Sequence, residues 1–271
     1  MLGLRKALRW LKNKLVEKAQ RILLTVIVAG PTPRHVAFIM DGNRRYARSH
    51  QRRVQEGHKE GFLVLRRMLE ICYRLNIKCV SVFAFAIDNF NRPEDEVAAL
   101  MSLAEEKLIE IASHGDLLNQ YGVRMNVVGN VGLLPASVQK AVRRAERMTR
   151  HNNVAIFNLH MPYASRYEIT LAVQSCVRNS IASNDDRVIT EDDIDRQLLT
   201  SLGGSPPLDV LVRTSGVKRL SDYLLWQITL QCCEDTQIHF IDTYWPDFGL
   251  LDFIPVILTY QRKVWSRTNI L

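Results

Sequence analysis

An α/β fold with a largely parallel central sheet of about six strands follows from two observations. Short β-rich runs alternate along the chain with longer segments of helical periodicity, and 271 residues of ordinary soluble composition, 47% hydrophobic and 24% charged, suffice for one generous core. The chain is accordingly read as an N-terminal amphipathic helix over 1–30 and one globular domain over 31–271.

The helix comes first. Leu4, Leu8, Leu11, Leu15 and Ile22 recur at three- and four-residue steps among Arg5, Arg9, Lys12, Lys14 and Lys18, and its longest apolar run, Ile22 to Ala29, is far short of the roughly 20 residues a bilayer core requires. Such a helix lies on a membrane surface or packs on the protein body or a partner; amphipathicity alone does not choose. Pro31 and Pro33 end it. Strands are expected at His35–Met40, Cys79–Ile87, Val123–Val128, Val154–His160, Leu208–Arg213 and Ile238–Ile241. Helices are expected at Phe62–Leu75, Pro93–Ser113, Pro135–Arg150 and Ser165–Ser180. In such sheets ligands bind beyond the carboxyl ends of the strands, so polar residues that follow a strand are the first site candidates.

Charge narrows the partner class. The net charge is +8, yet residues 1–53 hold 13 of the 36 Lys and Arg against only Glu17 and Asp41, so this segment carries +11 and the remainder −3. A nucleic-acid binder spreads its basic residues over a face and interleaves aromatics, which this distribution does not do. Five cysteines (Cys72, Cys79, Cys176, Cys232, Cys233) lack metal-ligand spacing and fit a reducing, cytosol-facing compartment. A Gly-x-x-x-x-Gly-Lys-Ser/Thr loop is absent, which disfavours a P-loop phosphotransferase.

Two strand ends carry the chemistry. The first strand runs into Asp41-Gly-Asn-Arg-Arg45: Asp41 is a hard oxygen ligand for Mg²⁺, Gly42 and Asn43 permit a tight turn whose N–H groups face an anion, and Arg44 and Arg45 offer paired donors to phosphate. The same residues also describe a common surface turn. The fifth strand ends in Arg213-Thr-Ser-Gly216, followed by Arg219-Leu-Ser-Asp222, with Ser221 placed to cap an apolar helix starting at Asp222. Two anion sites at strand ends suit two phosphorylated substrates better than one. His58, without a histidine or cysteine partner at ligand spacing, reads as a hydrogen-bond donor or an ordinary helix-start residue.

The ordered blocks His35-Val-Ala-Phe-Ile-Met-Asp-Gly-Asn-Arg-Arg-Tyr-Ala47, Glu56-Gly-His-Lys59, Phe83-Ala-Phe-Ala-Ile-Asp-Asn-Phe-Asn-Arg-Pro93, Pro162-Tyr-Ala-Ser-Arg166, Arg213-Thr-Ser-Gly216 with Arg219-Leu-Ser-Asp222, and Trp245-Pro-Asp-Phe248 resemble the cis-prenyltransferases, most closely the eukaryotic branch that makes dehydrodolichyl diphosphate. The resemblance implies repeated condensation of isopentenyl diphosphate onto an allylic diphosphate such as farnesyl diphosphate. It places Mg²⁺ on Asp41 and the allylic diphosphate on Gly42, Asn43, Arg44 and Arg45, with His58 and Asn89 beside it and Arg92 supporting. Arg213, Arg219 and Ser221 resemble the isopentenyl diphosphate site. The helix from Glu94 with Leu100, Leu103, Leu108 and Ile111 resembles the wall of a hydrocarbon tunnel, although ordinary core packing would use the same side chains.

Three departures stand out against single-subunit relatives: Ala86 replaces a loop serine, Gln237 stands where a metal-binding glutamate is expected, and the chain ends Trp265-Ser-Arg-Thr-Asn-Ile-Leu271 without an Arg-x-Gly tail. The last two imply a heteromer in which a related accessory subunit supplies the tail, and the resemblance places the protein at the cytosolic face of the endoplasmic reticulum membrane. The alternative, that this chain is itself the non-catalytic accessory subunit, is disfavoured by Asp41 and the Arg213–Ser221 cluster.

Overall fold

The computed structural model describes residue 14 and residues 18–113, 116–184, 187–231 and 236–268. Among them six strands form one sheet: β1 (His35–Ile39), β2 (Cys79–Phe83), β3 (Val123–Val128), β4 (Ala155–His160), β5 (Val210–Arg213) and β6 (Gln237–Phe240). Their order is β3-β4-β2-β1-β5-β6 and every pairing is parallel. Ile39 is in register with both Phe83 and Arg213, so the chain leaves β1, β2 and β5 at one edge of the sheet. β2 stops four residues earlier than its apolar run predicts, because Ala84 and Phe85 both donate to the His160 carbonyl and the chain then turns into a 3₁₀ segment at Ile87–Asn91.

The helices are α1 (18–28), α2 (Asn43–Ser49), α3 (Val54–Arg74), α4 (Glu94–Ala112), α5 (Leu117–Gln120), α6 (Ala136–Thr149), α7 (Ser165–Ser183), α8 (Glu191–Gln197), α9 (Leu199–Leu202) and α10 (Leu250–Thr268). Pro93 and Pro135 immediately precede α4 and α6, where their missing N–H costs nothing. α3 starts eight residues before the expected Phe62. Its first two turns bury Gly57 and Gly61 rather than apolar side chains, which removes the periodic signal, and the Glu56 carboxylate accepts from the Arg53 N–H to start the helix.

Side chains alternate across the sheet. Val36, Phe38, Val80, Val82, Phe157 and Leu159 face a large apolar cluster with residues of α3, α4, α6 and α10, while Ala37, Ile39 and Leu211 face a smaller one with Tyr163, Tyr223 and Leu224. Of the expected N-terminal stripe, Leu4, Leu8, Leu11 and Leu15 lie outside the described residues. α1 docks on the body through buried Leu24 and Ile27, Gln261 of α10 donates to the Ile27 carbonyl, and Ile22 and Val26 face outward. No helix among the described residues is long and apolar enough to cross a membrane.

Candidate active site

Asp41 is held by its backbone before its carboxylate does anything. Its N–H donates to Thr214 Oγ1 (3.0 Å), Thr214 Oγ1 donates in turn to the Asp41 carbonyl (2.7 Å), and the Trp245 N–H reaches the same carbonyl (3.0 Å). Trp245 is fully buried, stacks on Phe248, and donates its indole N–H to the Gly61 carbonyl. The Trp245-Pro-Asp-Phe248 block is thus the clamp that ties the Asp41 turn to α3. Gly42 turns the chain at φ +108°, and a Cβ there would sit 2.9 Å from Tyr244 Cδ1. Gly61 is equally required, since its Cβ would stand 2.3 Å from Asn43 Oδ1. The Gly57-x-x-x-Gly61 spacing was the signal for this close contact of α2 with α3.

Two cations and a backbone N–H converge on the carboxylate, one cation from the next turn and the other from β5. Arg213 Nη2 donates to Asp41 Oδ2 at 2.8 Å, Arg45 Nη2 stands 3.4 Å from Oδ1, and the Gly42 N–H donates to Oδ1 at 2.7 Å. Arg219 completes the group through its carbonyl, which accepts from Arg213 Nη1. Burial alone would raise the Asp41 carboxyl; the Arg213 hydrogen bond and charge, helped by Arg45 and Ser215, outweigh it and hold the group below the usual carboxylate range. Asp41 is therefore ionised at neutral pH. Arg213 is 3% exposed, so its charge is built into the site, and its Nη1 also donates to Ser221 Oγ at 2.9 Å. Arg45 is less available than its position suggests, because both terminal nitrogens donate to Ser215 and its guanidinium lies over the Tyr244 ring.

Met40, Asp41, Gly42, Asn43, Arg44, Arg45, Arg48, His58, Arg92, Val217 and Arg219 line one polar cavity at the strand ends. The two clusters expected separately are thus walls of the same space, and Arg48, which the sequence reading passed over, joins them one turn along α2. His58 is half-enclosed on α3; burial, then the charge of Arg92, pushes its imidazole down to about 4, so it is neutral at physiological pH. Its Nε2 is buried without a hydrogen-bond partner among the described residues.

Two expectations change. Asn89 lines neither this cavity nor the apolar one below: its Oδ1 accepts from the Ala86 N–H and closes the 3₁₀ turn. Ser221 does not cap a helix at Asp222. Ser221, Asp222 and Leu224 all have positive φ, a path no helix can take, and Asp222 instead binds the first turn of α7 through Arg166, while Ser165 Oγ receives the Leu225 N–H. Ser221 Oγ serves the site as an acceptor for Arg213 and Arg219. Gln237 is remote from Asp41 within this chain, since it pairs with Val210 and through it with Val36, five residues or roughly 16 Å up the sheet from Asp41.

Behind the polar cavity lies an apolar one, walled by Phe62 and Leu65 of α3, Leu100, Leu103, Leu108 and Ile111 of α4, and Met125, Phe157 and Leu159 of the sheet. Met40, Asn43 and His58 line both. The four α4 residues expected on a tunnel wall are all in place.

The sequence model of the putative undecaprenyl diphosphate synthase family of prenyltransferases matches residues 39–267. The chain belongs to this family. The prenyltransferase is 42% identical to a dehydrodolichyl diphosphate synthase complex subunit of Schizosaccharomyces pombe over 251 residues, 92% of each chain. It is 38% identical to the geranylgeranyl-diphosphate-specific tritrans,polycis-undecaprenyl-diphosphate synthase of Pyrococcus horikoshii, with 90% of each chain covered. Among solved structures, lavandulyl diphosphate synthase from Lavandula x intermedia in complex with dimethylallyl diphosphate superposes with a TM-score of 0.75 at 30% identity, covering 85% of the prenyltransferase and 95% of that enzyme.

Asp41 is the only acid among the residues lining the polar cavity, and no cluster of three or more acidic, histidine or cysteine side chains suited to a metal occurs among the described residues. That donor set fits Mg²⁺, which takes one or two carboxylates and fills its remaining positions with water and phosphate oxygens.

Proposed function

We propose that this prenyltransferase is the catalytic subunit of a complex that condenses isopentenyl diphosphate repeatedly onto farnesyl diphosphate, giving a long polyprenyl diphosphate of the dehydrodolichyl type. The observation that carries the reading is the union of the two cavities at Met40, Asn43 and His58: a diphosphate head fits among cations while its hydrocarbon enters the apolar space. In each addition the allylic carbon–oxygen bond breaks, the terminal alkene carbon of isopentenyl diphosphate bonds to the allylic carbon, a proton is lost from the isopentenyl unit, and inorganic diphosphate leaves. Arg44 and Arg92 line the allylic side and stabilise the departing charge; Arg219, with Arg213 and Ser221 fixing its loop, faces the second diphosphate. The apolar wall keeps water from the electron-poor carbon. Mg²⁺, held by Asp41 with the substrates' own oxygens, would supply further charge neutralisation to the leaving diphosphate.

A heteromer with a related accessory subunit is supported by the relative from Schizosaccharomyces pombe, which is named as a subunit of a complex. The outward Ile22 and Val26 of α1, next to the basic N-terminal segment, support peripheral contact of residues 1–30 with the cytosolic face of the endoplasmic reticulum membrane. The test is incorporation of labelled isopentenyl diphosphate into butanol-extractable product, with and without a candidate partner subunit. Strong activation by the partner is expected. Long products made at full rate by the chain alone would remove the subunit assignment, and no product under any condition would remove the catalytic one.

A further inference from the structure

A carboxylate outside the polar cavity governs three of the groups that line it. Glu96, in the first turn of α4, accepts a hydrogen bond from Arg92 Nη1 at 2.9 Å on Oε1; His58 Nε2 stands 3.8 Å from the same oxygen, and Arg44 Nη1 stands 3.9 Å from Oε2. These groups come from α2, α3 and the loop before α4. They converge on a side chain only 13% exposed, in the first turn of α4, where the helix dipole favours a negative charge. Asp41 serves Arg45 and Arg213 on the other side, so the site is two half-neutralised cation groups, each with one acid.

That division has a consequence for turnover. Burial, then the charge of Arg44, already works against the charged form of Arg92, so the two guanidiniums repel across the space where a diphosphate would sit. A carboxylate behind them holds them apart from their neighbours and removes one unit of positive charge from that space. An enzyme that adds many units must release inorganic diphosphate after each, and grip that persists into the product state slows the cycle without lowering the barrier.

We propose that Glu96 is a positioning carboxylate that orients Arg44, Arg92 and His58 and sets how readily the cavity gives up inorganic diphosphate between additions. The inference rests on reading the cavity as the allylic diphosphate site. It separates from a purely structural role by sign: a brace whose loss loosens the arginines weakens binding, whereas a counter-charge whose loss leaves the arginines in place strengthens it.

Glu96→Gln keeps the shape and one acceptor oxygen for Arg92, deletes the charge, and leaves an amide N–H₂ on the side of Arg44, whose contact at 3.9 Å is an ion pair and not a hydrogen bond. Calorimetric titration of inorganic diphosphate, with Mg²⁺ in every arm and the full chain throughout, is expected to show Glu96→Gln binding about tenfold tighter than wild type, with Glu96→Asp within about threefold of wild type. In turnover, Glu96→Gln keeps the rate of a single addition and loses steady-state rate. A folded Glu96→Gln that binds diphosphate no tighter than wild type overturns the proposal. If thermal unfolding shows that Glu96→Gln does not fold, a tenfold loss of affinity in Glu96→Asp overturns it instead. Wild type that fails to bind inorganic diphosphate, or binds it without competition from farnesyl diphosphate, sinks the site reading itself, a distinguishable result.

Discussion

The two faces of the sheet are built on opposite principles. Toward α3 and α4 the strands present Phe157, Leu159 and Met125 to a cavity with few polar atoms; toward α7 they present His35, Ser81, Asn158 and His160, all buried. On the second face most polar groups pair with one another: His35 Nε2 meets Ser81 Oγ at 2.8 Å, Asn158 donates to Ser81 and Ser205, and Glu168 accepts from Tyr163, Thr200 and Gln227, while His160 Nε2 and Gln227 Oε1 have no partner among the described residues. A face that must admit a changing hydrocarbon is held by shape and dispersion, which tolerate substitution of its contents, while a face that only supports can use directional bonds that fix one arrangement.

The comparison is broken most decisively at the strand ends that both faces share. Asp41→Ala is expected to lower isopentenyl incorporation by about a thousandfold, because it removes the proposed metal ligand and leaves the buried Arg213 charge without its acid. Incorporation within tenfold of wild type would show that the carboxylate has no part in the reaction.

Acid tests both faces together. Burial pushes His35 and His58 down to about 4 and His160 to about 3. Between pH 6.5 and about 4 the unfolded chain therefore binds protons that the native chain refuses. Stability from these groups is complete above pH 6.5 and is lost as pH falls, at up to about 4 kcal/mol per pH unit if all three contribute. Urea unfolding from pH 7 to pH 4.5 measures it, and a flat profile would contradict the burial of these rings.

The polar face alone is probed by Glu168→Ala, which strands Tyr163, Thr200 and Gln227 without their common acceptor. A loss of about 3 kcal/mol and a fall in Tm of several degrees are expected, with incorporation per folded molecule unchanged. The smallest effect belongs to the apolar face: Leu103→Trp fills cavity space at a cost of about 1–2 kcal/mol in stability. Its readout is product length by thin-layer chromatography, which should shift to shorter chains. Unchanged product length would mean that the hydrocarbon takes another path.

Much of the framework was legible locally. β3 matched its run at both ends, α4 and α6 began next to Pro93 and Pro135, and Asp41 and Arg213 were recognisable because apolar runs end at them. What escaped had no periodic signature. The start of α3 buries glycines, Ser221 belongs to a positive-φ path that resembles a cap in one dimension, and Asn89 spends its side chain on its own turn.

Local pattern by itself determined the alternation of elements, the parallel sheet, the strand-end location of both cation clusters and the apolar stripe of α4, since each depends on residues within a few turns of one another. Only the tertiary structure decided that Arg213 holds Asp41 across 172 positions, that the polar and apolar cavities share a mouth, and that Glu96 stands behind Arg44, Arg92 and His58. The reason is physical: periodicity reports which face of an element is buried, but electrostatic partnership depends on distance through space, and that distance exists only after the sheet has brought its strand ends together.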